Sequence, residues 1–446
     1  MTDERRPRPS ERSIWSTIRR DPDDGAIGAV WSGLTVDLDA TPQKSRRIVD
    51  WPWSSGMPGV PRIWPRVPGP AIAVLAVVAM LAATMVIGVI ATAHRLPPPF
   101  GLAKPGLIAF NDGGDIFVAN ADGTGRRAVT SGPADDVQPT WSPDGTMIAF
   151  WSLNPGETFA SLSVIDADGT HPRAVATKDL RVDVSGTRTL DPYDIVWSPD
   201  DRSLAFTGGT SYHEQVVVAS VDGTGSAAVG DPGFDSQTPT WSPDGTKIAF
   251  RGGRADSDRG VYVMNADGSD LRRVTLEVDD SWGNTYSYFM PAWSPDGARI
   301  AFSRKAPDVR HPSGVWGVQQ VWVVDAGGGN ERVLSDDQAV NDYPAWAPDG
   351  SRIAYRRSLD GEAATTVVVK PDGSDPITLA GSGVGIPRWS PDGSAIVSNA
   401  AAETGSGVDI VVSSTDSGAA LRFPATATDA PTALGNGDVS WQRLAP

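Results

Sequence analysis

Any chemistry in this chain has to come from aspartate, arginine and aromatic side chains. Its 446 residues include no cysteine, which excludes thiolate metal sites, a cysteine nucleophile and a disulfide framework. The four histidines, His94, His171, His213 and His311, are scattered and make neither a triad nor a metal centre. No G-x-S-x-G elbow or phosphate loop occurs, and no cofactor is implied. Polar and aromatic residues gather instead in three long segments. Leu180 to Asp194 holds Arg181, Arg188, Tyr193 and Asp194. Glu277 to Met290 holds Asp279, Asp280, Trp282, Tyr286 and Tyr288, and Arg304 to Gln319 holds Arg304, Arg310, His311 and Trp316. Arginine and aromatic side chains are the usual anchors of protein interfaces, and aromatic rings also stack on sugars. The chemistry on offer is therefore recognition, with packing of the loops against their scaffold as the alternative. A second set, Asp136, Asp194, Asp235 and Asp342, precedes recurring tryptophans. Strand-start capping accounts for it, and a ring of carboxylates at a channel mouth, accepting a cation or a basic peptide, is the sharper reading.

The elements that position these residues are repeats. The stretch Thr240-Trp241-Ser242-Pro243-Asp244-Gly245-Thr246-Lys247-Ile248-Ala249-Phe250 has close copies at Trp141, Trp197, Trp293, Trp346 and Trp389, and Trp441 stands alone near the end. A unit of roughly 40–50 residues repeated in this way marks an array or propeller. Ser-Pro-Asp-Gly is a tight turn: proline presets φ, aspartate caps locally and glycine takes the positive-φ exit. Each unit reads as four strands, named from the tryptophan. They are A (ending in Trp), B (Ile-Ala-Phe), C (Val-Tyr-Val-Met at 261–264) and D (Arg-Val-Thr at 273–275). Strands apolar on both faces suit a small sheet sandwiched between neighbours, and four-stranded sheets stacked radially are a β-propeller. The repeats begin with a lone B strand at Leu107-Ile108 and end with a lone A strand at Val439-Ser440-Trp441. Pairing the two closes the ring and removes an exposed edge. The expectation is an all-β, seven-bladed propeller, with six blades as the fallback. The third unit (Leu204 to Trp241) is the shortest and weakest.

The repeated W-S-P-D-G-x-x-I-A-F hairpin resembles the WD40-like repeat of the TolB β-propeller family over about residues 107–442. The resemblance implies the propeller and no single function, because the same repeat builds Tol-type periplasmic proteins and some prolyl-peptidase relatives. The chain departs from TolB itself, which has six blades behind a small α/β domain. The hydrolase domain that follows such propellers in the peptidases is not expected here. Asp166-Ala167-Asp168-Gly169 and Asn265-Ala266-Asp267-Gly268 look like the start of a calcium loop but lack the later ligands. Hairpin geometry explains them, so no metal site is assigned.

Residues 1–70 carry too few apolar residues to form a core and read as a disordered tail; the alternative is a linear motif that docks a cytoplasmic partner with Trp15, Trp31 and Trp53 as anchors. Ala71 to Ala93 is free of charge and long enough to span a bilayer of about 30 Å as a helix. A cleavable signal peptide ending at Ala91-Thr92-Ala93 is the competing reading. Basic residues cluster before the span, which places the N-terminus in the cytoplasm and the repeats outside. Residues 94–106, with Leu96-Pro97-Pro98-Pro99, form a stiff stalk, and residues 107–446 form the propeller. The whole chain carries 38 basic and 54 acidic residues; removing the 12 and 9 found before position 101 leaves 26 and 45. So acidic a body does not suit nucleic acid or an anionic membrane surface.

Antiparallel strands place the A–B and C–D turns on one face of the ring and the B–C and D–A loops on the other. The first set is stereotyped and the second carries all the length variation, so the second face is expected to carry function. The expected function is non-catalytic binding of a protein or peptide in the cell envelope. The alternatives are a transmembrane sensor whose tail holds a regulator, as anti-sigma proteins do, and a glycan-binding or lyase-type propeller.

Overall fold

The computed structural model describes residues 102–444 apart from 180, 183–187, 190–194, 211–212, 255–257, 277–289, 306–317, 336–338, 360–361, 380–384, 403–407 and 425–438. Every element among these residues is a β-strand, and no helix there is long and apolar enough to cross a membrane. The tail predicted over 1–70, the span over 71–93 and the stalk as far as residue 101 lie outside the described residues.

The unit around Trp241 shows how the repeat folds. Strands Asp235–Trp241, Lys247–Gly253, Gly260–Asn265 and Arg272–Arg273 form an antiparallel meander in that order. Trp241 pairs with Ile248, Ile248 with Met264, and Tyr262 with Arg273. Because side chains alternate along a strand, Ile248 and Phe250 face one neighbouring sheet while Ala249 faces the other. Ile248 and Phe250 pack with Ala205 and Val216 of the preceding sheet, and Ala249 and Val261 pack with Trp293, Ile300 and Phe302 of the following one. The Ile-Ala-Phe triad is wholly buried. Burying a side chain the size of isoleucine or phenylalanine contributes about 1.5–3 kcal/mol, so the repeated triad is the main cohesive device.

The other units follow suit. Among the described residues there are five four-stranded sheets, one two-stranded sheet and one eight-stranded sheet. In the eight-stranded sheet the meander from Ala292–Trp293 to Arg332–Val333 joins the meander from Val340–Trp346 to Ile377–Leu379 by a single parallel pair, Gln319 with Val340. The unit expected to be weakest is a complete sheet: Val196–Trp197, Ser203–Thr210, His213–Ser220 and Ser226–Ala228. The chain ends meet as expected. The closing strand Val439–Leu444 pairs with Lys104–Asp112, Trp441 opposite Ile108 and Val439 opposite Phe110, and both pack on Val397 and Ile410 of the last unit.

One boundary moves. The first strand begins at Lys104, inside the predicted stalk of 94–106, because Lys104 and Pro105 find partners in Leu444 and Arg443. The register shift between Pro105 and Ile108 absorbs the donor that proline lacks.

Two polar devices join consecutive units. The indole N–H of Trp197 donates to the Thr140 carbonyl (3.1 Å), Trp293 to Thr240 (3.2 Å), Trp346 to Ala292 (3.1 Å) and Trp389 to Ala345 (3.0 Å). The acceptor is in each case the residue before the preceding tryptophan. On the outer edge, D-strand arginines reach the next unit's C–D turn. Arg127 donates to the Ala167 carbonyl (2.7 Å), Arg173 to Val221 (2.9 Å), Arg272 to Gly327 (3.0 Å) and Arg332 to Pro371 (2.8 Å).

Candidate functional site

The turn face uses its carboxylates within its own turns. In the hairpin after Trp241, the Asp244 carboxylate accepts from the Ser242 hydroxyl (2.6 Å), the Thr246 amide (3.0 Å) and the Thr246 hydroxyl (2.9 Å). Lys247 N–H donates back to the Ser242 hydroxyl (2.9 Å). The pattern recurs at Asp144, Asp296 and Asp392. The C–D turns do likewise: Asp267 accepts from the Ser269 amide (3.0 Å) and hydroxyl (2.6 Å), and Asp168 from Thr170. The hydroxyl bond from Ser294 holds Asp296 below the usual carboxylate range, and Ser220 and Thr224 bring Asp222 down to about 2. In these turns the carboxylate lone pairs are spent on local donors.

A strands from every unit line one central cavity of about 480 Å³, walled mainly by tryptophan, proline, isoleucine and valine. Three of these strands carry the same irregularity. The register slips between Val137 and Thr140, Gln237 and Thr240, and Asp342 and Ala345. Gln138, Thr238 and Tyr343 sit there in the left-handed region (φ 57, 49 and 54°) and each precedes a proline. Two residues oppose one, so this is a β-bulge on the innermost strand, where a missing proline donor disturbs no ladder. It turns Gln138, Thr238 and Tyr343 toward the channel, and such conformations cost on the order of 1–3 kcal/mol each.

The loop face is built differently, from long-range charge pairs at the loop roots. The Asp342 carboxylate accepts two bonds from Arg356 (2.8 and 2.6 Å), whose guanidinium also lies 4.6 Å from the Tyr343 ring centre. Asp235 accepts from the Glu214 amide (3.1 Å) and from Arg259 (3.3 Å), with His213 Nδ1 at 3.9 Å. Gln237 donates to Glu214 and accepts from Arg251 (2.6 Å). Asp136 is buried, and desolvation pushes its carboxyl up against the hydrogen bonds of Ser152 and Thr130. None of these three aspartates lines the central cavity; the fourth member of the expected set at the channel mouth, Asp194, lies outside the described residues.

Arg304 was read from sequence as a surface anchor, but its side chain is 8% exposed. Its guanidinium lies 4.0 Å from the Trp322 ring centre and pairs with Glu331, itself 2% exposed. Glu331 also accepts from the Leu276 amide (2.8 Å), so the pair pins the root of the segment that follows Leu276. Arg181 and Arg188, expected on a loop, fall on a small hairpin, Arg181–Val182 against Arg188–Thr189. Tyr193, Asp194, Asp279, Asp280, Trp282, Tyr286, Tyr288, Arg310, His311 and Trp316 lie outside the described residues. The residues missed from sequence are the inter-unit arginines. The signal that marks them is an arginine recurring in D strands, at Arg127, Arg173, Arg272 and Arg332.

The comparisons agree with this geometry. The TolB beta propeller domain family matches residues 154–305 and 283–439, more than half of the chain. An uncharacterised protein of Agrobacterium fabrum is 27% identical over 222 residues, covering 48% of this chain and 68% of that one. The Tol-Pal system protein TolB of Rhizorhabdus wittichii is 32% identical over 87 residues, 20% of this chain and 17% of its own. Dipeptidyl-peptidase 5 of Porphyromonas gingivalis is 24% identical over 257 residues, 54% of this chain and 32% of its own. The chain thus spans well under half the length of the last two. Among solved structures, oligogalacturonate lyase from Vibrio parahaemolyticus superposes with a TM-score of 0.50 at 14% identity, covering 72% of this chain and 86% of that one. TolB from Acinetobacter baumannii gives 0.47 at 18%, covering 67% and 66%. With four-stranded meanders packed around a channel and a family match over most of the repeats, this chain belongs to the TolB β-propeller domain family.

Proposed function

We propose that this is a seven-bladed propeller, anchored in the plasma membrane by residues 71–93 and exposed outside the cytoplasm, that binds a protein or peptide of the envelope through its loop face without catalysing a reaction. The observation that carries the reading is the contrast between the faces. The aspartates of the Ser-Pro-Asp-Gly hairpins are satisfied within their own turns, whereas loop-face segments are long, rich in arginine and aromatics, and rooted on buried ion pairs such as Arg304–Glu331. A rigid scaffold holding variable loops is the usual arrangement of a recognition surface, and membership of the TolB family supports a scaffold kind of role. Seven blades are supported by the pairing of the closing strand with the first and by a separate hydrophobic cluster between each pair of consecutive sheets. The uncharged stretch Ala71 to Ala93, with basic residues before it, supports the anchor and its orientation.

The test is site-specific photocrosslinking in living cells, with a benzophenone amino acid at position 156 or 254 on the loop face and at 246 or 374 on the turn face. The expected outcome is a discrete adduct from the loop-face positions only. Equal labelling from both faces, or adducts from the turn face alone, would sink the reading. Protease shaving with a tag at each terminus checks the orientation, and loss of the N-terminal tag alone would reverse it.

A further inference from the structure

We propose that the ring opens at one place, between the sheets of Trp197 and Trp241, gaping at the turn face on a hinge at the loop face. The inference rests on the contacts between sheets and not on the loop-face reading. Every pair of neighbouring sheets shares an apolar cluster, so the polar bonds that cross an interface decide how readily it parts. Two such bonds are repeated around the ring, and both fail here.

The first is the indole bond. Trp197, Trp293, Trp346 and Trp389 each donate to the preceding sheet. Trp241 does not: its Nε1 is buried without a partner, although Val196 holds the acceptor's place before Trp197. The second is the D-strand arginine. Arg127, Arg173, Arg272 and Arg332 stand opposite Val118, Val164, Val263 and Val323 of their C strands. Opposite Val218 stands Ala227, too short to reach the next sheet. Ile377 and Leu421 also take the arginine's place. Trp389 keeps its bond at the first of those interfaces, and the Ala103 amide bridges the second by donating to the Pro391 carbonyl (2.9 Å).

Trp141 and Trp441 lack the indole bond too, but they flank the closing strand, where other bonds replace it. Gln442 donates to the Gly145 carbonyl (2.8 Å) and the Trp141 amide to the Ser440 hydroxyl (3.0 Å). Among the described residues, the turn-face half of the Trp197–Trp241 interface has no such substitute. The interface between the sheets of Trp293 and Trp346 is the opposite case. It has the indole bond, the arginine bond and a backbone pair, Gln319 with Val340.

What does cross the interface gathers toward the loop face. The Glu214 amide donates to Asp235 (3.1 Å), the Val216 amide to the Ser236 hydroxyl (2.9 Å) and the Thr238 amide to the Thr207 hydroxyl (3.0 Å), while Gln237 donates to Glu214. A clasp of a few residues at one end of a packed interface is a hinge. Trp197, Pro199 and Trp241 line the central channel, so parting at the turn face widens that mouth of the channel while the loop face stays joined.

The chain has no cysteine, so a single buried cysteine reports local opening through its rate of modification by a maleimide. Ala205 and Ala301 hold the same place in their B strands and are wholly buried. Ala205 faces the weak interface and Ala301 the strong one. In the full-length protein, Ala205→Cys should react at least about tenfold faster than Ala301→Cys, the scale of one or two absent hydrogen bonds in an opening equilibrium. Met264→Cys against Val369→Cys repeats the comparison from the opposite walls. Both replace a larger side chain, so the test stands even if Ala205→Cys fails to fold. Ala227→Arg places a donor where Arg127 reaches the Ala167 carbonyl in another unit, here with Ala266 as acceptor. It should slow the cysteine at 205 or 264 by about fivefold, one restored bond, and leave those at 301 and 369 unchanged. Equal rates in a pair that folds, or a rate at 205 or 264 that Ala227→Arg does not slow, overturns the inference.

Discussion

The two faces of this ring solve the same problem, closing a β-hairpin, by opposite means. On the turn face the aspartate of each Ser-Pro-Asp-Gly hairpin finds donors within two residues, as Asp244 does with Ser242 and Thr246. Such a turn is self-sufficient, so it can be copied from unit to unit, and its sequence is stereotyped for that reason. On the loop face the strand ends are held by partners far apart in sequence: Asp235 by Arg259, Asp342 by Arg356, Glu331 by Arg304. Those pairs leave the intervening chain free to vary in length and composition. Local satisfaction gives repetition, and long-range satisfaction gives room for a variable surface.

The largest effect should come from breaking the long-range kind. Arg304→Met leaves Glu331 buried without its cation, and loss of one member of a buried pair costs about 3–5 kcal/mol. The expected result is a large fall in the urea midpoint at unchanged slope. The double variant with Glu331→Leu should recover most of the loss, since a packed apolar pair can replace a buried ion pair at little cost. A double variant as unstable as the single would mean that the pair does more than satisfy itself, and the contrast between the faces would need revising.

A second test compares two glycines. Gly145 (φ 73°) lies in the turn after Trp141, and a β-carbon there would sit 2.1 Å from the Arg443 carbonyl oxygen of the closing strand. Gly156 (φ 88°) lies in a B–C loop with open space around it. Gly145→Ala pays both strain and a backbone collision at ring closure, about 3 kcal/mol, whereas Gly156→Ala pays conformational strain alone, about 1 kcal/mol. Calorimetric melting of the two variants separates them. Equal shifts would show that the turn face and the closing strand are not in the contact described.

How much of this was legible in the sequence follows from the same division. Trp-Ser-Pro-Asp-Gly and Ile-Ala-Phe announce their conformation locally, through turn chemistry and two-sided burial, so strand order and ring closure could be read directly. The bulges at Gln138, Thr238 and Tyr343 were not read, although the following proline marks each. Proline alone does not reveal that the residue before it takes a positive φ. Arg304 was misjudged because its exposure depends on Trp322 and Glu331, which pattern reasoning had no cause to bring together. Likewise Asp136, Asp235 and Asp342 are recognisable as a set, but the partners their carboxylates meet, Arg356 for Asp342 and Arg259 for Asp235, come from elsewhere in the chain.

The smallest expected effect tests local self-sufficiency where the repeat departs from its own rule. The turn after Trp197 reads Ser-Pro-Asp-Asp, so Asp201 occupies the glycine position and adopts a φ of 61°. It is also partly buried beside Asp144 and Asp200; desolvation, then the charge of Asp144, raises its pKa to about 6. A carboxyl whose folded pKa lies above its unfolded value favours folding fully below the unfolded value near 3.8, and that contribution disappears as pH rises through about 6. At pH 7, therefore, ionised Asp201 is a burden on the folded state, on the order of 1 kcal/mol once solvent screening of a half-exposed group is allowed for. Asp201→Gly should relieve this burden and the left-handed strain together, while losing the bond that the Asp144 amide donates to Asp201 (3.2 Å). The net expectation is a stabilisation of about 1 kcal/mol at pH 7 that shrinks toward zero by pH 4. Parallel urea titrations of both proteins at the two pH values measure it. A gain that is the same at both would assign the effect to backbone strain alone, and a loss at pH 7 would show that the bond to Asp144 outweighs strain and desolvation together.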